Sequence, residues 1–235
     1  MRRLTEIKWN YLLQRSYIRV CSGATCFIGN NVRIKNCRII LSPGSSLSIA
    51  DNVSIENSTI SISKGKCIIK EHCIIGASSV SVLINIEDGE MLLDHHSKLS
   101  TRRIWIRYGG ILKIGHYTNI NEGSEVRCDE SVFIGDYNQI SYQVNIWDTN
   151  THCILPKEER RNLAERYFPY FGKELSKPVT APIQIGNDCW IGEKSSILKG
   201  CTIGDEVIVG YNTLLSNKEI PNGKKVVNDI KLRIL

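Results

Sequence analysis

The sequence has no apolar run approaching the roughly 18 residues of a membrane span, which excludes a spanning helix. Its basic start, residues 1–20, lacks the apolar block of a secretory signal, so a cytoplasmic location is expected. There is no CxxC pair, and the nine cysteines are an odd count, which argues against both a disulfide framework and a cysteine zinc site. Aromatics are scarce at 7%, and no stretch interleaves them with dense Lys/Arg, so nucleic acid is not an expected partner. The modest net charge of +6 instead suits an anionic cofactor, glycan or membrane surface. Leu4, Ile7, Tyr11 and Leu12 share one helical face. Residues 1–25 are therefore read as a helical cap, with weak membrane-surface association as its other use.

What the sequence does have is a period. Ile185, Ile191, Ile197, Ile203, Val209 and Leu215 follow one another at a constant spacing of six. Neither an α-helix nor a plain strand repeats at six. A chain that makes a short strand, turns a corner and starts again does. Three such sides close a triangular coil with one aliphatic side chain per side pointing to the axis. The spacing recurs upstream at Ile28, Ile34 and Ile40, at Ile114, Ile120 and Val126, and at Ile134, Ile140 and Ile146. About eight coils are expected, spanning residues 26–221, with a tail over 222–235.

Side chains alternate along a strand, so the position two before each aliphatic also faces inward and must be small. Cys26, Cys67, Cys73, Cys189 and Cys201 fall there, which reads them as core hydrophobes. Glycines such as Gly192 and Gly210 follow an inward aliphatic, at the corner. His95 and His116 occupy equivalent corner positions, as do His72 and His96, and this reads as a solvent-facing ladder with no metal expected.

The pattern breaks once in a large way, between Ile146 and Ile183. The segment PKEERRNLAERYF within it reads as a short helix that starts at Pro156 with acidic residues in its first turn. A narrow coil has no room for such an insertion, so residues 149–182 must project, and projections from rigid repeats are where function concentrates. His152 lies at the root. Asp148, four residues earlier, is a candidate to orient it. The loop supplies Arg160 and Tyr170, and the flanking coils Tyr142 and Trp147, for contact with an acceptor.

The segment IGNDCWIGEKSSILKGCTIGDEVIVGYNTLLSNKEIP resembles the C-terminal coils of hexapeptide-repeat acetyltransferases. THCILPKEERRN and GKELSKPVTAPIQIGNDCWIG resemble the loop and re-entry strand of the maltose/galactoside O-acetyltransferase branch. The repeat likeness covers about residues 26–221 and the specific motifs about 119–221. This resemblance implies an all-β, left-handed parallel β-helix, assembled as a trimer with active sites between subunits and acetyl-CoA as co-substrate. It places the family's catalytic base on His152, an active-site asparagine on Asn121 and the tryptophan that lines the site on Trp190. It places cofactor contacts at Gly192 and the Glu193 N–H, at Gly210 and Tyr211, and at Lys218, with Lys224, Lys225 or Arg233 standing in for the family's usual basic ending. Tyr211 departs from the small residue usual there, and the loop is longer than in enzymes acting on small sugars. The expected activity is O-acetylation of a carbohydrate such as a surface polysaccharide, O-antigen or capsule glycan. The alternatives are N-acetylation of a nucleotide amino sugar, a γ-carbonic-anhydrase-type metal site and a non-catalytic assembly coil.

Overall fold

A computed structural model describes residues 13–169 and 176–229. The chain winds as a three-sided solenoid whose strands all pair in parallel. One face stacks ten strands, from Leu13–Gln14 to Lys225–Val226, and the other two stack nine each. The second face runs from Tyr17–Val20 to Leu214–Leu215, and the third from Thr25–Ile28 to Glu219–Ile220. The coil is thus longer than the eight turns expected, and it begins and ends outside the expected bounds. Within the expected helical cap, Leu13–Gln14 and Tyr17–Val20 are already strands, because Leu13 pairs with Ile34 and Ile18 with Ile39. In the expected tail, Lys225–Val226 still pairs with Ile208–Val209. The helical face proposed for Leu4, Ile7, Tyr11 and Leu12 lies outside the described residues.

The inward columns form one core. Ile34, Ile55, Ile75, Leu99, Ile120, Ile140 and Ile191 descend the first face, each 0–1% exposed. Cys67, Cys73, Cys189 and Cys201 are buried as expected, and Cys37 and Cys128 join them. Burial pushes the Cys67 thiol up to about 12, so it is inert as a nucleophile. In the early rungs the corner between the first and second faces is one residue shorter than the period. Ile39 and Leu41 therefore face inward, and Ile40, expected in the core, lies on the outer side. Asn36 and Asn57, with φ of +52° and +47°, make these tighter corners.

Polar residues close the corners. Asp136 Oδ1 accepts the His116 N–H (2.9 Å), Asn187 Oδ1 the Asp136 N–H (2.8 Å), and Asp205 Oδ1 the Asn187 N–H (2.7 Å). Each rung so satisfies a backbone donor that the turn leaves free. From inside, Ser97, Thr118 and Asn138 accept the N–H groups of Thr118, Asn138 and Cys189 and donate to the carbonyls of Gly115, Gly135 and Gly186. Gly192 is required for a different reason: a Cβ there would lie 2.7 Å from the backbone of Gly210 one rung below. The corner histidines stack as the sequence suggests, with ring centroids 4.6 Å apart for His72 and His96 and 4.8 Å for His95 and His116.

Asn138 is fully buried. Its Nδ2 donates to Gly186 O and its Oδ1 accepts the Cys189 N–H, both at 2.8 Å. Asn138→Ala strands both groups, so urea unfolding is expected to show a loss of about 2–4 kcal/mol. A loss below about 0.5 kcal/mol would contradict this account of the corners.

Candidate active site

Strand Asn145–Trp147 runs along the second face and delivers Asp148 and Thr149 to the corner before the third. There the chain leaves the coil. Thr149 and Thr180 form an antiparallel bridge. The Asn150 N–H donates to Val179 O, and the Ala181 N–H to Asp148 O, both at 3.0 Å. These bonds close the neck of the projection. Beyond it lies α1 (Lys157–Tyr167), with Glu158 and Glu159 in its first turn and Arg166 in its last, as the helix dipole favours. Pro156 sits just before the first helical residue, and no residue of α1 is buried.

His152 stands exposed at this neck. Its neighbour Thr151 has φ +64°, an unusual conformation for a β-branched residue. A buried network holds the neck in place. Arg107 clamps Asp129 with two bonds of 2.9 and 2.7 Å, and both side chains are nearly inaccessible. The Thr149 hydroxyl donates to Asp129 at 2.7 Å, the Thr151 N–H donates to the Thr149 hydroxyl at 3.0 Å, and Arg107 reaches Thr151 O at 3.4 Å. Thr180 donates to Glu130 at 2.5 Å. Asp148, also fully buried, accepts the N–H groups of Asp129 and Glu130 at 2.8 Å each. Both its oxygens are thus engaged by the preceding rung, which is the geometry of a corner brace. Arg107, Asp129 and Thr149 were not singled out in the sequence. The signal was a charge spacing: Arg103 to Glu125 and Arg107 to Asp129 are each 22 residues apart, one turn of the coil.

A second group occupies the corner between the first and second faces. Asn121 accepts from Asn119 Nδ2 at 3.0 Å. Tyr142 is half exposed two turns from Tyr211, with Gly192 and Glu193 between them. The Gly192 N–H is bound to Val209 O (2.7 Å) and the Lys194 N–H to Tyr142 O (3.0 Å). Between them the Glu193 N–H has no acceptor among the described residues. Lys194 Nζ donates to the Tyr211 hydroxyl at 3.1 Å, so Tyr211 stands outward and fixes a lysine. Trp190 lies on the first face, 54% exposed, its indole N–H donating to Ser141 Oγ at 3.2 Å.

One chain therefore does not bring all the expected residues together. His152 and Lys218 share the corner between the second and third faces. Asn121, Tyr142, Glu193, Gly210 and Tyr211 lie at the next corner, and Trp190 beyond it. Lys224 is at the third corner. A face of about five residues is roughly 17 Å wide at 3.3 Å per residue. Trp147 lies on the second face beside the His152 neck, Arg160 is exposed on α1, and Tyr170 and Arg233 lie outside the described residues. Among the described residues, no three His, Cys, Asp or Glu side chains are grouped to hold a metal ion.

Comparison with known proteins agrees with this architecture. The model for bacterial transferase hexapeptide (six repeats) matches residues 182–217. The likeness to the hexapeptide family is confined to that stretch, and the fold of the chain is that of a left-handed parallel β-helix. It is 30% identical over 118 residues to galactoside O-acetyltransferase of Escherichia coli K12, a match covering 50% of each protein. The chain thus spans about half the length of that curated relative. Among solved structures it is similar to the polySia-specific acetyltransferase NeuO, with TM-score 0.58, 19% identity, and 91% of this chain and 83% of that one covered. It is also similar to Arabidopsis UDP-N-acetylglucosamine acyltransferase, with TM-score 0.56, 12% identity, and coverage of 89% and 71%. The resemblance to hexapeptide-repeat O-acetyltransferases read from the sequence is borne out.

Burial pushes the Asp148 carboxyl up to about 6, against the lowering pull of the backbone N–H groups of Asp129 and Glu130. A raised carboxylate pKa means the folded chain holds this proton longer than the unfolded chain does. Its contribution is thus most favourable below the ordinary aspartate pKa and is lost as pH rises through about 6. The stability advantage of the native protein over Asp148→Asn is expected to shrink between pH 4 and pH 7.5, by an amount on the order of 3 kcal/mol. Paired thermal melts across that range check the sign; a widening gap would contradict it.

Proposed function

We propose that the protein is an acetyl-CoA-dependent O-acetyltransferase acting on a carbohydrate hydroxyl, with His152 as general base. The observation that carries this reading is one exposed histidine at a braced neck, where a rigid coil makes its one long projection. The likeness to galactoside O-acetyltransferase over half the chain supports the chemistry.

A sugar hydroxyl is a weak nucleophile near neutrality. Imidazole is the side chain suited to take its proton as the oxygen attacks the thioester carbonyl. The carbonyl oxygen then carries negative charge, and the unengaged Glu193 N–H is suited to donate to it without rearrangement. The carbon–sulfur bond breaks, the acetyl group stays on the sugar oxygen, and the imidazolium returns its proton to the thiolate. No covalent enzyme intermediate is needed.

The same reading requires more than one subunit. His152 and Glu193 are a full side of the coil apart in one chain, so they meet only when one chain's His152 neck packs against another's first corner. A homotrimer with shared sites, as the family resemblance implies, provides that contact. Acceptors of surface-polysaccharide type suit the long projection, and nine free cysteines suit a reducing cytoplasm.

Acetyl-CoA turnover across a glycan panel tests the activity. His152→Ala is expected to lose on the order of 10²–10⁴-fold in kcat while keeping its fold. Unchanged turnover in that variant would refute the role of His152, and no turnover by the native protein on any acceptor would refute the activity. The solution mass is expected to be three times the 26.5 kDa chain; a monomer that turns over would refute the shared site.

A further inference from the structure

The second face carries a group of side chains that the proposed chemistry does not use. In the rungs on the N-terminal side of the His152 neck, Glu125 is fully buried and bound by three guanidinium groups. Arg103 donates through Nε and NH2 (2.9 and 2.6 Å), Arg127 through Nε (2.5 Å), and Arg102 through NH2. Burial alone would raise the Glu125 carboxyl, but hydrogen bonds from Arg103 and Arg127, with their charges, hold it below the ordinary glutamate value. Glu125 is therefore ionised at neutral pH, and three positive charges meet one negative. The neighbouring Arg107–Asp129 pair is internally neutral and does not supply the difference. Among the described residues no other carboxylate forms an ion pair with Arg102, Arg103 or Arg127.

Two indoles fix this cluster. The Arg127 guanidinium lies 4.3 Å from the Trp147 ring and 5.7 Å from the Trp105 ring, and Arg103 lies 4.9 Å from Trp105. Trp105 is itself anchored by its N–H to Glu87 at 2.9 Å. Each guanidinium has five N–H donors, and only one or two of each are engaged by Glu125. The result is a set of preoriented donors with excess positive charge. Rigid guanidinium forks of this kind match a carboxylate in two-point fashion.

The position on the coil decides what the anion belongs to. Trp147 stands in the rung that ends in the neck, five residues before His152. Arg127 pairs beside it one rung away and Trp105 two rungs away, at roughly 5 and 10 Å. The residues expected to meet acetyl-CoA, from Gly192 to Lys218, lie in rungs on the other side of the neck. We infer that Arg102, Arg103 and Arg127, held by Trp105 and Trp147, form an acceptor subsite along the second face, from the Asn121 corner toward the rung that ends in the His152 neck, and that it binds the carboxylate of an acidic glycan. This rests on the carbohydrate acyltransfer proposed above and deepens it by naming the acceptor's charge.

The test reads binding rather than turnover, so the two proposals fail separately. In a His152→Ala background, calorimetry is run with oligosialic acid and oligogalacturonate, each beside its carboxyl-reduced neutral form. At least one acid is expected to bind, with its neutral form about tenfold weaker or worse. Adding Arg127→Gln is expected to weaken acid binding about tenfold, the equivalent of one charge-assisted pair. Arg102→Gln, which leaves Arg103 and Arg127 on Glu125, is expected to do the same in part and serves if Arg127→Gln does not fold. Equal binding of acid and neutral forms, or no effect of the arginine variants, would overturn the subsite. So would a rise in KM for acetyl-CoA instead of acceptor when the arginine variants are made on the active chain. Dissociation of the assembly by those variants with acid binding intact would make the face an interface between copies and also overturn it.

Discussion

Everything in this molecule depends on stacking in register. Each short strand finds its backbone partners only in the turn above and the turn below, about 4.8 Å away. A position in one rung therefore sits on the same position in the next. The consequence is that residues are selected by column rather than by neighbour in sequence. Ile140 lies on Ile191 although the whole projection separates them in the chain. That pairing resumes without a slip across 51 residues because the closed neck at Thr149 and Thr180 returns the chain to the corner it left. A single-residue slip would turn every inward aliphatic to water.

The axis of such a coil is filled by its inward side chains, so chemistry has to be displayed at corners and on outer faces. Display on a flat surface demands that the displayed groups be held from behind. At the His152 neck the holding is done by charge: Arg107, Asp129 and Asp148 are removed from water and bound to one another's rungs. Buried ions cost desolvation and are a poor way to add stability. They are a good way to fix one geometry, since an alternative packing would leave a charge without its partner. Placing these groups beneath the one long projection, rather than spreading them along the coil, is the pattern expected if they serve the neck's position.

Most of the coil was legible in the sequence because one physical requirement, a small or aliphatic inward residue every six positions, writes itself directly into residue type. The cysteines at inward positions and the corner histidines follow from it. Where a second requirement intervened, the period misled. Ile40 was expected inward from the six-residue spacing, but it lies on the outer side because the early corners are one residue shorter, a saving made by Asn36 and Asn57 in left-handed conformations that a periodic reading does not mark. The cap was expected as helix because its apolar spacing fits a helical face, but pairing with the next rung overrides local preference from residue 13 onward. Ser97, Thr118 and Asn138 also occupy small inward positions, and their burial owes as much to the backbone groups they satisfy.

The candidate site was legible only as far as it depends on the chain leaving the coil. His152 stands out because the period stops there. Glu125 and Asp129 do not stand out, since each occupies a position that the six-residue rule leaves free, and their partners lie a full turn away. A search for opposite charges one turn apart finds both. This also bears on why the two groups of expected residues are a coil's side apart. Columns keep like positions together along the axis but hold different corners at a fixed distance. Residues at different corners can cooperate only across the boundary between two coils. For a solenoid of this kind, a site whose assigned residues fall at different corners is one that only assembly can complete.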